Sequence, residues 1–447
     1  MSALARRITP FLAEVITSDR TRDARRWMAE RRRRLRGAPH RVLYFHQVDD
    51  PYSQLAAQVL GVLSARYDIV LEPHLVGPPP DAAAPERQRL EAFARKDAAD
   101  VAPAYGLAFP SHAAPPDPHD VERASRVLAS AAAAGKFVDL AAPVGHTLWT
   151  GERDRLETIA REMPPADPDR ARAVIEAGGA LRARLGHYLG AMFYYGGEWY
   201  WGVDRLRHLE RRLQSLGVNR AGAESVSVVR RPAFDDQPIP DTGRRLTLEF
   251  YASLRSPYTY IAMERVYALP RRYPLDLELR PVLPMVMRGL PVPAAKRMYI
   301  TLDTKREAED VGVPFGRVCD PVGRPVERAF SLYPWARERG RAAEFLLSFA
   351  RAAFAEGLDT GTDAGLRQVV ERVGLLWTEA QQHLDREGWR DELETNRQAL
   401  FGMGLWGVPS FRLQGGDGEP DFCTWGQDRI WLIEQEMRRR LSRALPG

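Results

Sequence analysis

The chain has 447 residues, 45% of them apolar and 28% charged, with a formal net charge of +5 and a pI near 9.2. That is material for about two to three domains, each able to bury a core, so a single small module is excluded. The basic residues are almost all arginines that alternate with acidic residues along helix faces, the pattern of solvated helices, and no nucleic-acid partner is expected. The two cysteines, Cys319 and Cys423, stand in no Cys-x-x-Cys. They support neither a disulfide framework nor a cysteine zinc site, and each is expected to be a reduced, partly buried thiol with no metal.

The first 38 residues are predicted to form a basic helical extension in which Phe11, Leu12, Val15, Ile16, Trp27 and Leu35 supply apolar faces that pack onto the module that follows. Arg6 and Arg7 precede ITPFLAEVI and then the charged TSDRTRDARR stretch, which is not the pattern of a secretory signal. No apolar run reaches the roughly 18 residues of a membrane span. A cytoplasmic protein without a membrane partner is expected.

From Arg41 the segment RVLYFHQVDDPYSQLAAQVLGVLSARYDIVLEPHLV reads as strand, loop, amphipathic helix and strand, a βαβ unit. Its pattern returns from Arg245 as RLTLEFYASLRSPYTYIAMERVYALPRRYPLDLELRPVL. Downstream, Asp97, Asp100, Ala102 and Gly106 share the spacing of Asp303, Arg306, Ala308 and Gly312. A long helical stretch follows in each copy, over 121–185 and 326–400, and each copy closes with a strand hairpin, a Trp-Gly-x-Asp-Arg turn and a helix. The plan is an α/β protein of two similar modules, residues 39–216 and 244–447, joined by a linker over 217–243 where Pro232, Pro238, Pro240 and the Asp235-Asp236 pair break any periodicity.

Four places in the second copy could carry chemistry. Ser256 before Pro257-Tyr258 is a favoured N-cap with proline at the first helical position; the same geometry sets a hydroxyl at a helix N-terminus, where an anion or thiolate is stabilised. Pro409 opens an apolar strand in Trp406-Gly407-Val408-Pro409-Ser410-Phe411, so it begins an edge strand or sits in a cis turn. If the bond is cis, the Val408 amide and carbonyl face outward, ready for an extended peptide. In Gly426-Gln427-Asp428-Arg429, Asp428 is an N-cap or a partner for a ligand's ammonium group. Lys296 and Tyr299 lie one helical turn apart and share a face, either as a carboxylate-binding pair or as a solvated lysine beside a half-buried tyrosine.

Taken in order, Ser256-Pro257-Tyr258, Lys296, Tyr299, Asp303, Arg306, Ala308, Gly312, Gly407-Val408-Pro409, Phe411, Gly426, Asp428 and Arg429 form a series that resembles the 2-hydroxychromene-2-carboxylate isomerases and kappa-class glutathione transferases, DsbA-like members of the thioredoxin superfamily. The resemblance covers about 200 residues. It implies two thioredoxin-like modules in tandem, each with a helical insertion between its βαβ and ββα halves. It further implies glutathione bound with its sulfur at Ser256, its backbone on Val408 beside Pro409, its γ-glutamyl amine near Asp428 and Gln427, and its glycyl end toward Lys296 and Tyr299, with Pro257 and Tyr258 framing the turn. One position departs from the family: an asparagine that contacts glutathione there is Leu290 here, which offers no side-chain hydrogen bond.

The first copy departs at every such point. Asp50 replaces the serine and would repel a thiolate, Leu90 and Phe93 stand at the lysine and tyrosine positions, and Ala191 stands at the strand proline, while Asp204 and Arg205 persist. The first copy is therefore expected to be structural or partner-binding, and the fused pair implies an intramolecular pseudo-dimer or a homodimer. The expected function is a glutathione-dependent isomerase of an unsaturated carbonyl compound, or a transferase at the same site. The rival from another class is a non-catalytic scaffold. Thiol–disulfide exchange needs a pair of neighbouring thiols, and Ser256 stands where the first would be. The substrate is set by the helical stretch over 326–400 and by neighbours such as Trp335 and Trp406.

Overall fold

The computed structural model describes residues 3–220, 227–230, 232, 243–416 and 418–442, with side chains from residue 8 onward. They divide into two compact units, one of residues 23–232 and one of residues 1–22 with 233–447. Among the described residues no helix is long and apolar enough to cross a membrane.

The first unit is built on β1 (His40–His46), β2 (Ile69–Leu75), β3 (Met192–Tyr195) and β4 (Glu198–Trp201), in the order β2-β1-β3-β4. Strands β1 and β2 run parallel, and β3 and β4 each run antiparallel to their neighbours. Val42, Tyr44 and Phe45 of β1 are fully buried, which fixes this strand in the middle of the sheet. The β3–β4 hairpin turns through Gly196 and Gly197, both at positive φ, the backbone that a two-residue turn of this kind demands. Five helices of eight or more residues fill the space between β2 and β3, two of them opened by Asp117 and Asp167 as N-caps with proline next.

The second unit repeats the plan with β5 (Leu246–Ala252), β6 (Leu275–Pro281), β7 (Ser410–Leu413) and β8 (Phe422–Trp425), in the order β6-β5-β7-β8 and with the same senses. Phe250 and Phe411 stack across β5 and β7 with centroids 5.4 Å apart, and Tyr260, Phe330, Trp335 and Phe349 extend that core into the helices. Mixed α/β architecture with two four-stranded sheets is consistent with two thioredoxin-like modules.

Small fittings recur in both. The Tyr52 hydroxyl donates to Asp97 at 2.9 Å, and the Tyr258 hydroxyl to Asp303 at 2.7 Å. Gly106 and Gly312 end the following turn at φ 69° and 71°. The Gly202 amide donates to the Ala191 carbonyl, and the Gly426 amide to the Pro409 carbonyl, at 2.7 and 2.9 Å.

Two expectations about boundaries are corrected. The N-terminal extension does not pack as one piece on the first module: helix Ala3–Thr17 belongs to the second unit, where the Thr17 hydroxyl donates to the Gly316 carbonyl at 3.3 Å and Arg22 pairs with Glu309 at 2.7 Å. Only the part from residue 23 joins the first unit, through Arg26 and Glu198 at 3.1 Å. Phe11, Leu12, Val15, Trp27 and Leu35 are exposed instead of packed, because the packing face of each helix is supplied by other residues such as Thr17 and Arg26. The linker also starts later than residue 217. The Asp68 amide donates to the Val218 carbonyl, the Arg220 amide to the Arg66 carbonyl, and the Val228 amide to Glu210, so this stretch belongs to the first unit. Backbone amides and carbonyls beside a sheet edge need partners, and these residues provide them. Pro238, Pro240 and the Asp235-Asp236 pair lie outside the described residues.

Candidate functional site

Strand β5 ends in Ala252, and the chain turns through Ser253-Leu254-Arg255 before helix Pro257–Arg272 starts. The turn is closed by the Ser256 amide on the Ser253 carbonyl at 3.1 Å and clamped from outside by Arg255, whose guanidinium meets both carboxylate oxygens of Asp320 at 2.7 Å. Ser256 is the N-cap: its Oγ accepts from the Thr259 amide at 3.1 Å. The same Oγ donates to the Val408 carbonyl at 3.3 Å. Helix N-terminus and strand-opening loop are thus joined at one hydroxyl.

The Val408–Pro409 peptide is cis. Strand β7 lies between β5 and β8, so Pro409 does not open an edge strand. The expectation that both Val408 backbone groups stand open is corrected for the carbonyl, which Ser256 occupies; among the described residues the amide has no hydrogen-bond partner. Gly407 precedes it, and a Cβ there would sit 2.1 Å from the Trp425 ring, so this position requires glycine. Trp425 meets Trp406 edge-on at 5.2 Å, and the Lys296 ammonium lies 5.7 Å from the centre of the Trp406 ring. Burial brings Lys296 down to about 8.

Ser256, Val408, Pro409, Trp406 and Lys296 are therefore linked through contacts, and the Pro409 carbonyl ties them to the Gly426 turn that carries Asp428. Asp428 is not a helix N-cap: it lies in a single turn, Gln427–Arg429, ahead of helix Ile430–Leu441, and its carboxylate stands 3.7 Å from Arg429. Tyr299 follows Lys296 on helix Ala294–Asp310 and is half-buried. Pro257 and Tyr258 open the helix, and Tyr258 is bound to Asp303 instead of facing a ligand. Gln427 departs from its expected role. Its amide oxygen accepts from Arg265 at 2.6 Å and its nitrogen donates to Glu307 at 2.9 Å, in a site where Gln427 is 1% exposed. The side chain is committed to the scaffold, since both ends of a buried amide need partners. Replacing Gln427 with leucine is expected to cost about 2 kcal/mol, because Arg265 and Glu307 each lose one buried hydrogen bond; urea unfolding of the second unit measures it.

The donor set fits glutathione at three points: a hydroxyl at a helix N-terminus for sulfur, an open amide at Val408 for peptide backbone, and a lysine for a carboxylate. It departs at Leu290 and Gln427, whose side chains offer the ligand nothing. Composition and spacing gave no sign of the Arg255–Asp320 clamp, which pairs residues 65 apart in sequence. Trp335, named with Trp406 as a neighbour of the substrate, is instead 1% exposed in the core.

In the first unit the corresponding place is filled by its own chain. Asp50 caps helix Pro51–Ala57 by accepting from the Ser53 amide at 2.9 Å and the Ser53 hydroxyl at 2.7 Å. The Ser53 Oγ accepts in turn from the Ala191 and Gln47 amides at 2.9 and 3.2 Å. Ala191, at φ 53°, uses the very N–H that proline lacks. A Cβ on Gly190 would meet Gln47 at 2.7 Å, so no room is left. Burial raises Asp50 from 3.8 to about 6. An acid raised on folding contributes no penalty below its unfolded value and a full one above its folded value, so this unit loses stability from about pH 4 to pH 6 on account of Asp50. Asp50→Asn keeps a capping oxygen and is expected to stabilise the first unit by about 2 kcal/mol at pH 7.5 and by nothing below pH 4, read from thermal unfolding across that range.

Residues 247–438 match the model of the DsbA-like thioredoxin domain. The match lies within the second unit. Over 202 residues the chain is 21% identical to the 2-hydroxychromene-2-carboxylate isomerase of Pseudomonas putida, spanning 43% of this chain and 95% of that protein. A solved 2-hydroxychromene-2-carboxylate isomerase is similar at 22% identity and TM-score 0.37, over 43% of this chain and 95% of its own. The cytosolic disulfide reductase DsbM of Pseudomonas aeruginosa, solved with GSH, is similar at 21% identity and TM-score 0.32, over 44% of this chain and 100% of its own.

Proposed function

We propose that the two units are thioredoxin-like modules in tandem, of which the second binds glutathione and isomerises an unsaturated carbonyl compound. The observation that carries this reading is Ser256 Oγ, which caps a helix and reaches the Val408 carbonyl at 3.3 Å while the Val408 amide beside it stands open. The likeness to the isomerase of Pseudomonas putida supports the reaction class. Bound glutathione would supply a thiolate that adds reversibly to a conjugated carbon–carbon double bond, lets the resulting single bond rotate, and leaves again with no net redox change. The residues of this chain do the rest. Ser256 turns its hydroxyl proton from the Val408 carbonyl to the sulfur, and the helix dipole favours the anion. The Val408 amide fixes the cysteinyl backbone, Lys296 holds the glycyl carboxylate, and Asp428 holds the γ-glutamyl ammonium.

Calorimetric titration of the intact protein with glutathione tests this. Binding at micromolar to low-millimolar concentration, with thiolate absorbance that Ser256→Ala loses, is expected, followed by turnover in a screen of unsaturated carbonyl compounds. Accumulation of the adduct would make the protein a transferase. Absence of binding at about ten millimolar glutathione would overturn the reading and leave a scaffold.

A further inference from the structure

Arg182 lies in the last turn of helix Pro168–Arg184 in the first unit and is 6% exposed. Its Nη2 donates to the Gly77 carbonyl at 3.1 Å, and among the described residues its Nε and Nη1 have no hydrogen-bond partner. Other buried arginines are matched: Arg212 meets Glu198 at 2.8 Å and the Tyr195 carbonyl at 2.7 Å, and Arg306 meets Asp303 at 2.9 Å. Among the described residues no carboxylate pairs with Arg182, and burial pulls it down to about 10. A guanidinium taken out of water without a countercharge is costly, and a fold keeps one only where something offsets it.

The fold itself does not ask for this charge. Gly178 packs against the Leu75 carbonyl at the end of β2, and Asn396 donates to the Pro281 carbonyl at the equivalent end of β6. Counting from either landmark, Arg182 corresponds to Leu400, each standing nine residues before Ala191 or Pro409. Leu400 is fully buried. The same niche is therefore apolar in the second unit and cationic in the first.

The neighbours suit an anion. The His187 amide donates to the Arg182 carbonyl at 3.0 Å, and the His187 ring is near enough for the Arg182 charge to help lower its pKa, after burial. The Leu189 amide donates to His187 Nδ1 at 3.2 Å, so the ring proton sits on Nε2 as a donor. Tyr188 stacks on His187 at 4.9 Å, and Trp199 lies 4.8 Å from it. The chain on the other side is Gly77-Pro78-Pro79-Pro80, whose prolines have no N–H to donate to an anion, so the guanidinium is the donor there.

We propose that Arg182 anchors an oxyanion site in the first unit, taking the carboxylate or phosphate of a small ligand between the end of helix Pro168–Arg184 and the Gly77–Pro80 segment, beside the His187 ring. The site is independent of the glutathione reading and stands or falls separately. The test titrates the intact protein with benzoate and with inorganic phosphate by calorimetry, alongside Arg182→Leu, which installs the residue found at position 400, and Arg182→Lys. Wild type is expected to bind one of the two probes at low-millimolar concentration; benzoate alone marks an aromatic carboxylate, phosphate alone a phosphorylated ligand. Affinity should fall at least tenfold in Arg182→Leu, be partly kept in Arg182→Lys, and be unchanged in Ser256→Ala. Arg182→Leu should be as stable as wild type or more so in low-salt buffer without either probe. No heat from either probe, equal binding by Arg182→Leu, or a first unit that unfolds at lower temperature in both Arg182 variants would overturn the proposal and make the arginine a cap for the Gly77 carbonyl.

Discussion

Ser256→Ala is expected to raise the pKa of the bound glutathione thiol by about one to two pH units, the worth of a hydrogen bond to a charged acceptor. Turnover of an unsaturated carbonyl compound should fall by about 10²–10³, as for loss of one preorganised donor to a developing anion. The helix N-terminus remains, so the thiol should stay more acidic than in water. Ser256→Thr preserves the hydroxyl and the cap and should recover most of both effects. The pH profile of thiolate absorbance separates this from a structural loss, because a variant that merely misplaces the helix would weaken glutathione binding without moving the thiol titration. Ser256→Ala also removes the acceptor for the Thr259 amide, which should lower stability by about 1 kcal/mol, as for other N-caps.

Lys296→Met is expected to separate stability from binding. A lysine whose pKa falls on folding, here from 10.5 to about 8, contributes no penalty above its unfolded value and a growing one as pH drops to its folded value. At pH 7 the charged form costs the second unit about 3 kcal/mol, which methionine should recover, and the difference between variant and wild type should vanish above about pH 10.5. Binding should move the other way. S-methylglutathione, which has no thiol to titrate, should bind wild type best below pH 8, where Lys296 carries its charge, and lose affinity as pH rises through that value. Lys296→Met should bind weakly and without that dependence. A variant that gains no stability at pH 7 would show that Lys296 is not held in its charged form at a cost.

The doubling of the strand plan was legible because it rests on local pattern: an apolar strand, a capped helix and a second strand recur from Arg41 and Arg245 with the same landmarks. Ser256, Pro409 and Lys296 were legible as residue types in special places. Their mutual arrangement was not, since the Ser256 hydroxyl and the Val408 carbonyl are 152 residues apart. The fate of Gln427 was hidden for the same reason, because Arg265 and Glu307 reach it from distant helices. The N-terminal helices misled because amphipathic spacing says that a helix has an apolar face and not that the face is covered; Phe11 is 64% exposed. Arg182 gave no signal at all, being one arginine among many in an arginine-rich chain.

The paired fittings of the two units bear on how such sequences can be compared. Asp97 and Asp303 each hold a tyrosine of the first helix, and Gly106 and Gly312 each turn the chain out of a helix at positive φ. These residues survive where the serine, the proline and the lysine have gone. Much of the series that marks the second unit is thus architecture that the first copy, with Asp50 and Ala191 in place of the serine and the proline, retains equally well. A relative that keeps only the aspartate and the glycine has inherited a shape, and whether it shares the proposed chemistry is read at the positions of Ser256, Val408-Pro409 and Lys296.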